Sequence, residues 1–309
     1  MTTQDLILGT VQLGIPYGIA NQGGMPQEAD AVALIRSAIG AGITTFDTAR
    51  AYGESEARIG KAVAGVEFKG TIITKLRPLT DLTINSTPGE IEQCVSEEIK
   101  TSSRALGQKT LDCLLLHRAD YLTEWDGKVW QVLQALVRDG KIKRIGASVQ
   151  SPEEAKLALE TQGVSHIQLP LNMLDYRWRE AGLDRLLKAR PDITVHARSL
   201  YLQGLLSAGD ASLFPNIEGV DAAAIIEALS KCRKELGRSS LADLCISWAR
   251  SLGWVNGLVI GMETEQQLQD NVKLFSASTL TQDERSYVET SLPRVPEALL
   301  NPALWPNNS

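Results

Sequence analysis

The sequence contains few cysteines, and they are not spaced for a zinc site or a disulfide framework. Its 309 residues include four cysteines, Cys94, Cys113, Cys232 and Cys245, and no two of them form a Cys-x-x-Cys pair. Scattered cysteines of this kind are typical of free thiols in a reducing compartment. We therefore expect a cytoplasmic protein that holds no metal.

Long apolar runs and dense basic runs are also missing. No apolar segment approaches the roughly 20 residues that a membrane-spanning helix needs, and residues 1–5 lack the basic and then apolar pattern of a signal peptide. The formal net charge is −6, from 31 basic and 37 acidic residues. This balance gives no broad basic surface for nucleic acid. Neither membrane nor nucleic-acid binding is expected.

What the sequence does contain is an alternation of short apolar runs and longer amphipathic stretches, repeated eight times. The predicted strands are residues 6–9, 43–46, 71–76, 111–117, 144–149, 166–171, 194–199 and 257–261. The predicted helices are residues 27–41, 55–63, 88–106, 124–139, a segment starting at 151, 221–236, 240–252 and 264–275. An uninterrupted alternation over residues 1–309 predicts a single-domain (β/α)8 TIM barrel, with a doubly wound open sheet as the alternative.

Two segments depart from the alternation. The connection at about residues 200–220 is too long for an ordinary turn between a strand and a helix, so it is a candidate lid. The tail from about residue 292 carries Pro293, Pro296, Pro302 and Pro306. Prolines at this density exclude a continued regular helix, so we expect the tail to be irregular.

Polar residues stand at the ends of three consecutive predicted strands. Asp47 follows the second strand, Lys75 lies at the end of the third and His117 ends the fourth, while Tyr52 follows Asp47 on a tight loop with Gly53. Neighbouring strands of a barrel end side by side, so the four side chains should meet at one mouth. A lysine ammonium stabilises a phenolate, a carboxylate orients the lysine, and a histidine donates a hydrogen bond to a carbonyl oxygen. The set suits proton delivery during carbonyl reduction.

Each of these four residues alone has an ordinary structural explanation: a loop cap, a solvated strand-end lysine, a core histidine and a packing tyrosine. Their joint occurrence at three consecutive strand ends makes those explanations improbable. His166 and His196 are not accompanied by such residues at neighbouring strand ends, and we expect them to have a packing role.

A set of short motifs accompanies these residues: Leu8-Gly9-Thr10, Phe46-Asp47-Thr48-Ala49, Tyr52-Gly53-Glu54-Ser55-Glu56, Thr74-Lys75, Leu114-Leu115-Leu116-His117, Ile145-Gly146-Ala147-Ser148, Gln168 with Asn172, and Gln203-Gly204-Leu205-Leu206. In this order and spacing they resemble the aldo-keto reductase family, including its bacterial members, over almost the whole chain. The resemblance implies Tyr52 as general acid, Lys75 and Asp47 as its tuning pair, His117 as carbonyl orienter and a nicotinamide cofactor as hydride source.

The resemblance also implies where the cofactor, NADP or NAD, would bind. Gly9 and Thr10 would lie near the nicotinamide ribose, and Ser148 and Gln168 would bind the carboxamide. Further cofactor contacts are implied at Arg198, Ser199, Gly261, Gln267 and Asn271. Arg198 stands where the family often has an aromatic residue that stacks on the nicotinamide.

Two positions depart from the family pattern. Val149 stands where members usually have an asparagine for the carboxamide, and Gln267 stands where an arginine would clamp the adenosine 2′-phosphate. The loss of arginine removes a bidentate phosphate partner, and Glu263 and Glu265 add repulsion nearby. The choice between NADP and NAD is therefore left open.

The substrate is less well defined by the sequence. Tyr17, Trp178 and Trp305 lie on predicted loops and are candidates to line a substrate pocket. Residues 12–21 resemble a segment of bacterial members linked to sugar metabolism, which suggests a polar substrate. We expect an oxidoreductase that acts on a small aldehyde, ketone or sugar-like hydroxyl. The alternative is a barrel of this kind used for cofactor sensing, partner binding or nonredox chemistry. The oligomeric state is left open.

Overall fold

A computed structural model describes residues 5–19 and 23–306, and in it eight parallel strands form a closed barrel. The strands are β1 (Asp5–Gly9), β2 (Thr45–Asp47), β3 (Thr71–Leu76), β4 (Leu111–Leu116), β5 (Ile142–Ser148), β6 (His166–Pro170), β7 (Thr194–Arg198) and β8 (Gly257–Gly261). Each strand pairs with the next one along the chain, and β8 pairs with β1 through Leu8 and Ile260. The predicted TIM barrel is confirmed, and the open sheet is excluded.

Helices surround the barrel. They are α1 (Glu28–Gly40), α2 (Ser55–Val63), α3 (Pro88–Leu106), α4 (Lys128–Arg138), α5 (Pro152–Glu160), α6 (Arg177–Glu180), α7 (Leu183–Lys188), α8 (Leu205–Ala208), α9 (Ala222–Glu235), α10 (Leu241–Arg250), α11 (Glu265–Phe275), α12 (Gln282–Ser291) and α13 (Glu297–Leu300). None of the helices in the described ranges has both the length and the apolar character needed to cross a membrane.

Helix starts follow the local sequence at several points. The Thr87 hydroxyl accepts from the Glu90 N–H in a capping box at the start of α3, and Ser151 caps α5 before Pro152. Side-chain caps of this kind satisfy backbone N–H groups that have no partner in the first turn of a helix. The sequence therefore sets where these helices begin.

One predicted helix start is confirmed and another was wrong. Helix α2 begins at Ser55, as predicted, with Glu54 as the N-cap residue, and the Ser55 hydroxyl donates to the Thr10 carbonyl oxygen at 3.0 Å. The helix predicted from residue 124 begins only at Lys128, since Trp125 and Asp126 adopt left-handed backbone angles, with φ of 51° and 52°. The Trp125 indole nitrogen donates to the Thr83 carbonyl oxygen at 2.7 Å and ties together the loops that follow β3 and β4.

The barrel interior contains a small cluster of polar side chains: His166, His196 and Cys113. The rings of His166 and His196 are 0% and 6% exposed and meet edge to face at 4.3 Å between centroids. Cys113 Sγ lies 3.6 Å from His166 Nδ1. Both histidines are packed in the interior, as expected. All four cysteines are free thiols, and no cluster of metal-ligating side chains occurs within residues 5–19 and 23–306.

The two irregular segments contain short helices. The connection after β7 includes α8 and is anchored by buried Leu200, Leu202 and Leu205. Three of its non-glycine residues, Ser199, Leu202 and Gln203, have positive φ. The tail includes α13 and a 3-10 turn at Pro302–Leu304. Ala20 and Asn21, from the segment likened to sugar-metabolism members, lie outside the described residues.

Candidate active site

The ends of β2 and β3 hold a buried ion pair. Lys75 Nζ lies 2.7 Å from Asp47 Oδ1 and donates to the Thr48 carbonyl oxygen at 2.8 Å. Lys75 is 1% exposed and Asp47 is 3% exposed. Removing two charges from water is costly unless hydrogen bonds satisfy their remaining polar groups. Gln168 Nε2 supplies such a bond to Asp47 Oδ2 at 2.6 Å, so both carboxylate oxygens are engaged.

Tyr52 and His117 stand beside this pair. Lys75 Nζ is 5.2 Å from the centroid of the Tyr52 ring. The Tyr52 and His117 rings meet nearly at right angles, with 5.8 Å between their centroids. The structure therefore brings together the four side chains that the strand ends predicted.

The surroundings of His117 favour its neutral form. Burial lowers the pKa of His117 to about 3, and the positive charges of Lys75 and Arg198 act in the same direction. A neutral imidazole carries one N–H donor and one acceptor nitrogen. At neutral pH His117 can therefore donate a hydrogen bond to an oxygen in the mouth without carrying a charge.

The backbone that carries Tyr52 is packed against the loop that follows β1. A Cβ atom on Gly14 would overlap the Tyr52 carbonyl oxygen, and one on Gly53 would overlap the Gly14 carbonyl oxygen. The Ser55 hydroxyl accepts from Thr48 Oγ1 at 2.9 Å and so joins the β2 end to this loop. The sequence did not predict the contact between the two glycines, although Gly53 lies in the motif with Tyr52 and Gly14 lies in the segment of residues 12–21.

The mouth opens into a cavity of about 560 Å³. Its lining includes most of the predicted catalytic and cofactor residues and one predicted substrate residue, Tyr17. The catalytic and cofactor residues are Gly9, Thr10, Asp47, Tyr52, His117, Ser148, Arg198, Ser199, Gly261, Gln267 and Asn271. It also includes polar residues that the sequence did not single out, among them Gln12, Gln150, Tyr201 and Asp270. Glu263 lines it as well, whereas Glu265 is exposed and does not.

The residues of this cavity fit a nicotinamide cofactor. Side chains at Gly9 and Gly261 would meet Val259 and Gln12, so these glycines keep a cradle open at the ends of β1 and β8. Buried polar atoms without a partner in the described chain, Gln168 Oε1 and His117 Nδ1, stand behind the mouth. A large concave site with a few convergent polar groups is what a dinucleotide needs.

One expected carboxamide contact differs in the structure. Gln168 is fully buried, and its amide nitrogen is directed at Asp47 rather than into the cavity. Val149 is also fully buried, and its N–H donates to the Gln168 carbonyl oxygen at 2.8 Å. Ser148 is thus the one of these three residues that lines the cavity.

Of the aromatic substrate candidates, Tyr17 lines the mouth and the two tryptophans do not. Trp178 lies in α6 and not on a loop, and its indole nitrogen donates to Asp175 Oδ2 at 3.1 Å. It lines a separate cavity on the flank of the barrel. The Trp305 indole nitrogen donates to the Leu299 carbonyl oxygen at 3.0 Å within the tail.

With this fold and site, the sequence profile of the Aldo/keto reductase family matches residues 5–292, and the chain belongs to that family. It is an NAD(P)-dependent carbonyl oxidoreductase, the activity of the family. The chain is 26% identical over 305 residues to the uncharacterized oxidoreductase YrpG of Bacillus subtilis (strain 168), covering 88% of this chain and 87% of that protein.

Other proteins are similar to the chain over part of its sequence or in fold. Probable aldo-keto reductase 1 of Glycine max is 31% identical over 150 residues, which is 46% of this chain and 42% of that protein, so the match spans less than half of that relative. The holo form of the aldo-keto reductase AKR11C1 from Bacillus halodurans superimposes with a TM-score of 0.74 at 22% identity, over 96% of this chain and 95% of that one. The glycerol dehydrogenase AKR11B4 from Gluconobacter oxydans gives 0.70 at 24% identity, over 93% and 90%. These two structures are alike in fold.

Proposed function

We propose that the chain reduces an aldehyde or ketone, or oxidises the corresponding hydroxyl, with Tyr52 as the general acid. The observation that carries the proposal is the buried Asp47–Lys75 pair beneath the Tyr52 ring, with His117 at its edge. A bound nicotinamide cofactor supplies or accepts the hydride. Each residue then has a defined part in moving the proton.

Tyr52 donates its hydroxyl proton to the carbonyl oxygen as that oxygen becomes an alkoxide. The Lys75 ammonium stabilises the phenolate that remains. Asp47 fixes Lys75 beneath the ring, since its two carboxylate oxygens are held by Lys75 and Gln168. Neutral His117 donates to the carbonyl oxygen and orients it, and a fixed donor of this kind needs no reorganisation during the reaction.

The cofactor is NADP or NAD. Gly9 and Thr10 are proposed at the nicotinamide ribose, Ser148 at the carboxamide, and Arg198 and Ser199 at the wall formed by the end of β7. Gly261, Gln267 and Asn271 are proposed at the adenosine end, where β8 meets α11.

A polar, sugar-like substrate is supported by the mouth around Tyr52. Tyr17, Gln150, Arg198 and Gln203 line it with hydroxyl, amide and guanidinium groups. Such groups favour the binding of substrates with several oxygens, because each of these oxygens can form a hydrogen bond in the mouth. The similar structure named as a glycerol dehydrogenase agrees with this substrate class. A panel of polyols, sugars and apolar ketones would test it.

The proposal is tested by Tyr52→Phe, which removes the acidic proton and keeps the ring. We expect kcat for carbonyl reduction to fall by about 10²–10⁴-fold, the usual contribution of a general acid, while cofactor binding by fluorescence titration is retained. Tyr287→Phe is the matched control, because that hydroxyl contacts Glu235 far from the cavity. Unchanged turnover in Tyr52→Phe would remove the assignment.

A further inference from the structure

The adenosine end of the cavity holds a fixed carboxylate. We call this part of the lining the β8–α11 rim: Gly261, Glu263, Gln267, Asp270 and Asn271. Gln267 Oε1 accepts from the Glu263 N–H at 2.6 Å, and Gln267 Nε2 donates to Glu263 Oε2 at 3.2 Å. This reciprocal pair holds the Glu263 carboxylate in one orientation at the edge of the cavity.

The network continues into the cavity wall. The Tyr201 hydroxyl donates to Asn271 Oδ1 at 3.2 Å, and Asn271 Nδ2 donates to the Gln267 carbonyl oxygen at 2.8 Å. The rim side chains are therefore joined by hydrogen bonds, and the rim offers neutral polar groups and a carboxylate. Gln267 stands at the position where the family resemblance implies a clamping arginine. Both polar atoms of its side chain are hydrogen-bonded to Glu263.

The charges of the rim are negative. Glu263 and Asp270 are both carboxylates, and among the described residues that line the cavity Arg198 is the single lysine or arginine. Arg198 lies at the end of β7, and the five residues of the rim include no lysine or arginine. A 2′-phosphate at the rim would thus face two carboxylates and no cation.

We infer that the β8–α11 rim selects NAD over NADP, with the Glu263 carboxylate accepting a hydrogen bond from the 2′-hydroxyl of the adenosine ribose. An acidic residue recognises this hydroxyl in other dinucleotide sites for the same chemical reason, since a hydroxyl donates to a carboxylate and a phosphate is repelled by it. Asp270 adds to the repulsion, but its Oδ1 already accepts from Gln266 Nε2 at 3.0 Å. The inference rests on the proposed function, because it requires a nicotinamide cofactor in this cavity.

The test is calorimetric or fluorescence titration of the full chain with NADH and NADPH separately, without substrate. We expect NADH to bind at least about tenfold more tightly, the size of one charge-assisted hydrogen bond. Glu263→Gln should narrow the ratio, because it weakens NADH binding and relieves the repulsion of NADPH. Glu265→Gln is the matched control on the same helix end, and its exposed carboxylate should leave the ratio unchanged.

The possible outcomes distinguish a failure of the inferred NAD selectivity from a failure of the proposed function. Equal or tighter binding of NADPH by the unaltered chain overturns the inference and leaves the proposed function standing. A ratio that does not change in Glu263→Gln, or that changes equally in Glu265→Gln, overturns the role of Glu263. If neither cofactor binds at submillimolar concentration, the proposed oxidoreductase site itself is wrong.

Discussion

At the scale of single residues, the Asp47 carboxylate accepts hydrogen bonds through both of its oxygens. Its two oxygens accept from Lys75 on β3 and from Gln168 on β6, so groups from three strands meet at one carboxylate. The sequence predicted the contact with Lys75, because the two residues end neighbouring strands. It did not predict the contact with Gln168, which lies 121 residues away and reaches Asp47 across the barrel.

Gln168→Leu tests this contact. The variant leaves Asp47 Oδ2 without its donor inside the barrel, and an unsatisfied buried charged acceptor costs about 1.5–3 kcal/mol. We expect kcat to fall by about tenfold or more and its pH dependence to change, because the Asp47–Lys75 pair is no longer held. Gln93→Leu in α3 is the control, since Gln93 also donates to a carboxylate, that of Glu97, but on the exposed surface and outside the cavity. A kcat loss without any change in the pH profile would argue for a purely structural role.

At the scale of elements, the loop after β1 sets the position of the loop that carries Tyr52. The two loops meet backbone to backbone at Gly14, with Ser55 bonded to Thr10 alongside. Gly14 has φ of −128°, which any residue can adopt. The requirement for glycine at this position is therefore steric and not conformational.

Gly14→Ala should displace Tyr52. The added methyl group has no room against the Tyr52 carbonyl oxygen, and a shift of about 1 Å in a reacting group costs about 10²-fold in rate. We expect that loss in kcat, measured with the best carbonyl substrate found. Gly89→Ala in α3 is the matched control, because no atom lies within 4 Å of its added Cβ. A similar kcat in both variants would show that the two loops move independently.

The predicted elements differ in how well the sequence defined them. β3, β8 and α3 have the predicted bounds, because apolar runs and capping residues mark both ends. Helices α6 and α7 were not predicted, since four and six residues are too short to show a helical period. Helix α12 was also missed, although Thr281 and Glu284 form a capping box at its start.

At the scale of the whole molecule, stability should depend on pH through the histidines of the barrel interior. Burial lowers the pKa of His196 to about 3 and that of His166 well below its ordinary value, helped by the charges around them. The unfolded chain binds protons at these residues below about pH 6.5, whereas the folded chain does not. Their contribution is therefore complete above that pH and is lost as the pH falls.

Urea unfolding between pH 7.5 and 5.5 measures this effect. We expect the free energy of unfolding to decline below about pH 6.5, approaching a slope of about 1.4 kcal/mol per pH unit for each histidine. His196→Phe keeps an aromatic ring against His166 and removes one titrating group, so its slope should be smaller. An equal slope in the two proteins would contradict the assignment.

Fold and site were predictable to different depths. The barrel and the four residues at the strand ends could be predicted from local patterns. The C-terminal ends of parallel barrel strands lie at one face, and this arrangement does not depend on the details of side-chain packing. The direction of Gln168, the Gly14 contact and the place of Trp178 depend on how distant segments pack once the barrel closes. No local pattern contains that information.

The contact between Gly14 and the Tyr52 loop also bears on how this protein can be recombined. A chimera that takes the first strand and its loop from one parent, and the second strand from another, would separate two backbones that fit each other without a gap. Exchange at a boundary after Val63, at the end of α2, would carry both loops together. The first two strand–helix units therefore form a block that can be exchanged with the contact between Gly14 and the Tyr52 loop intact.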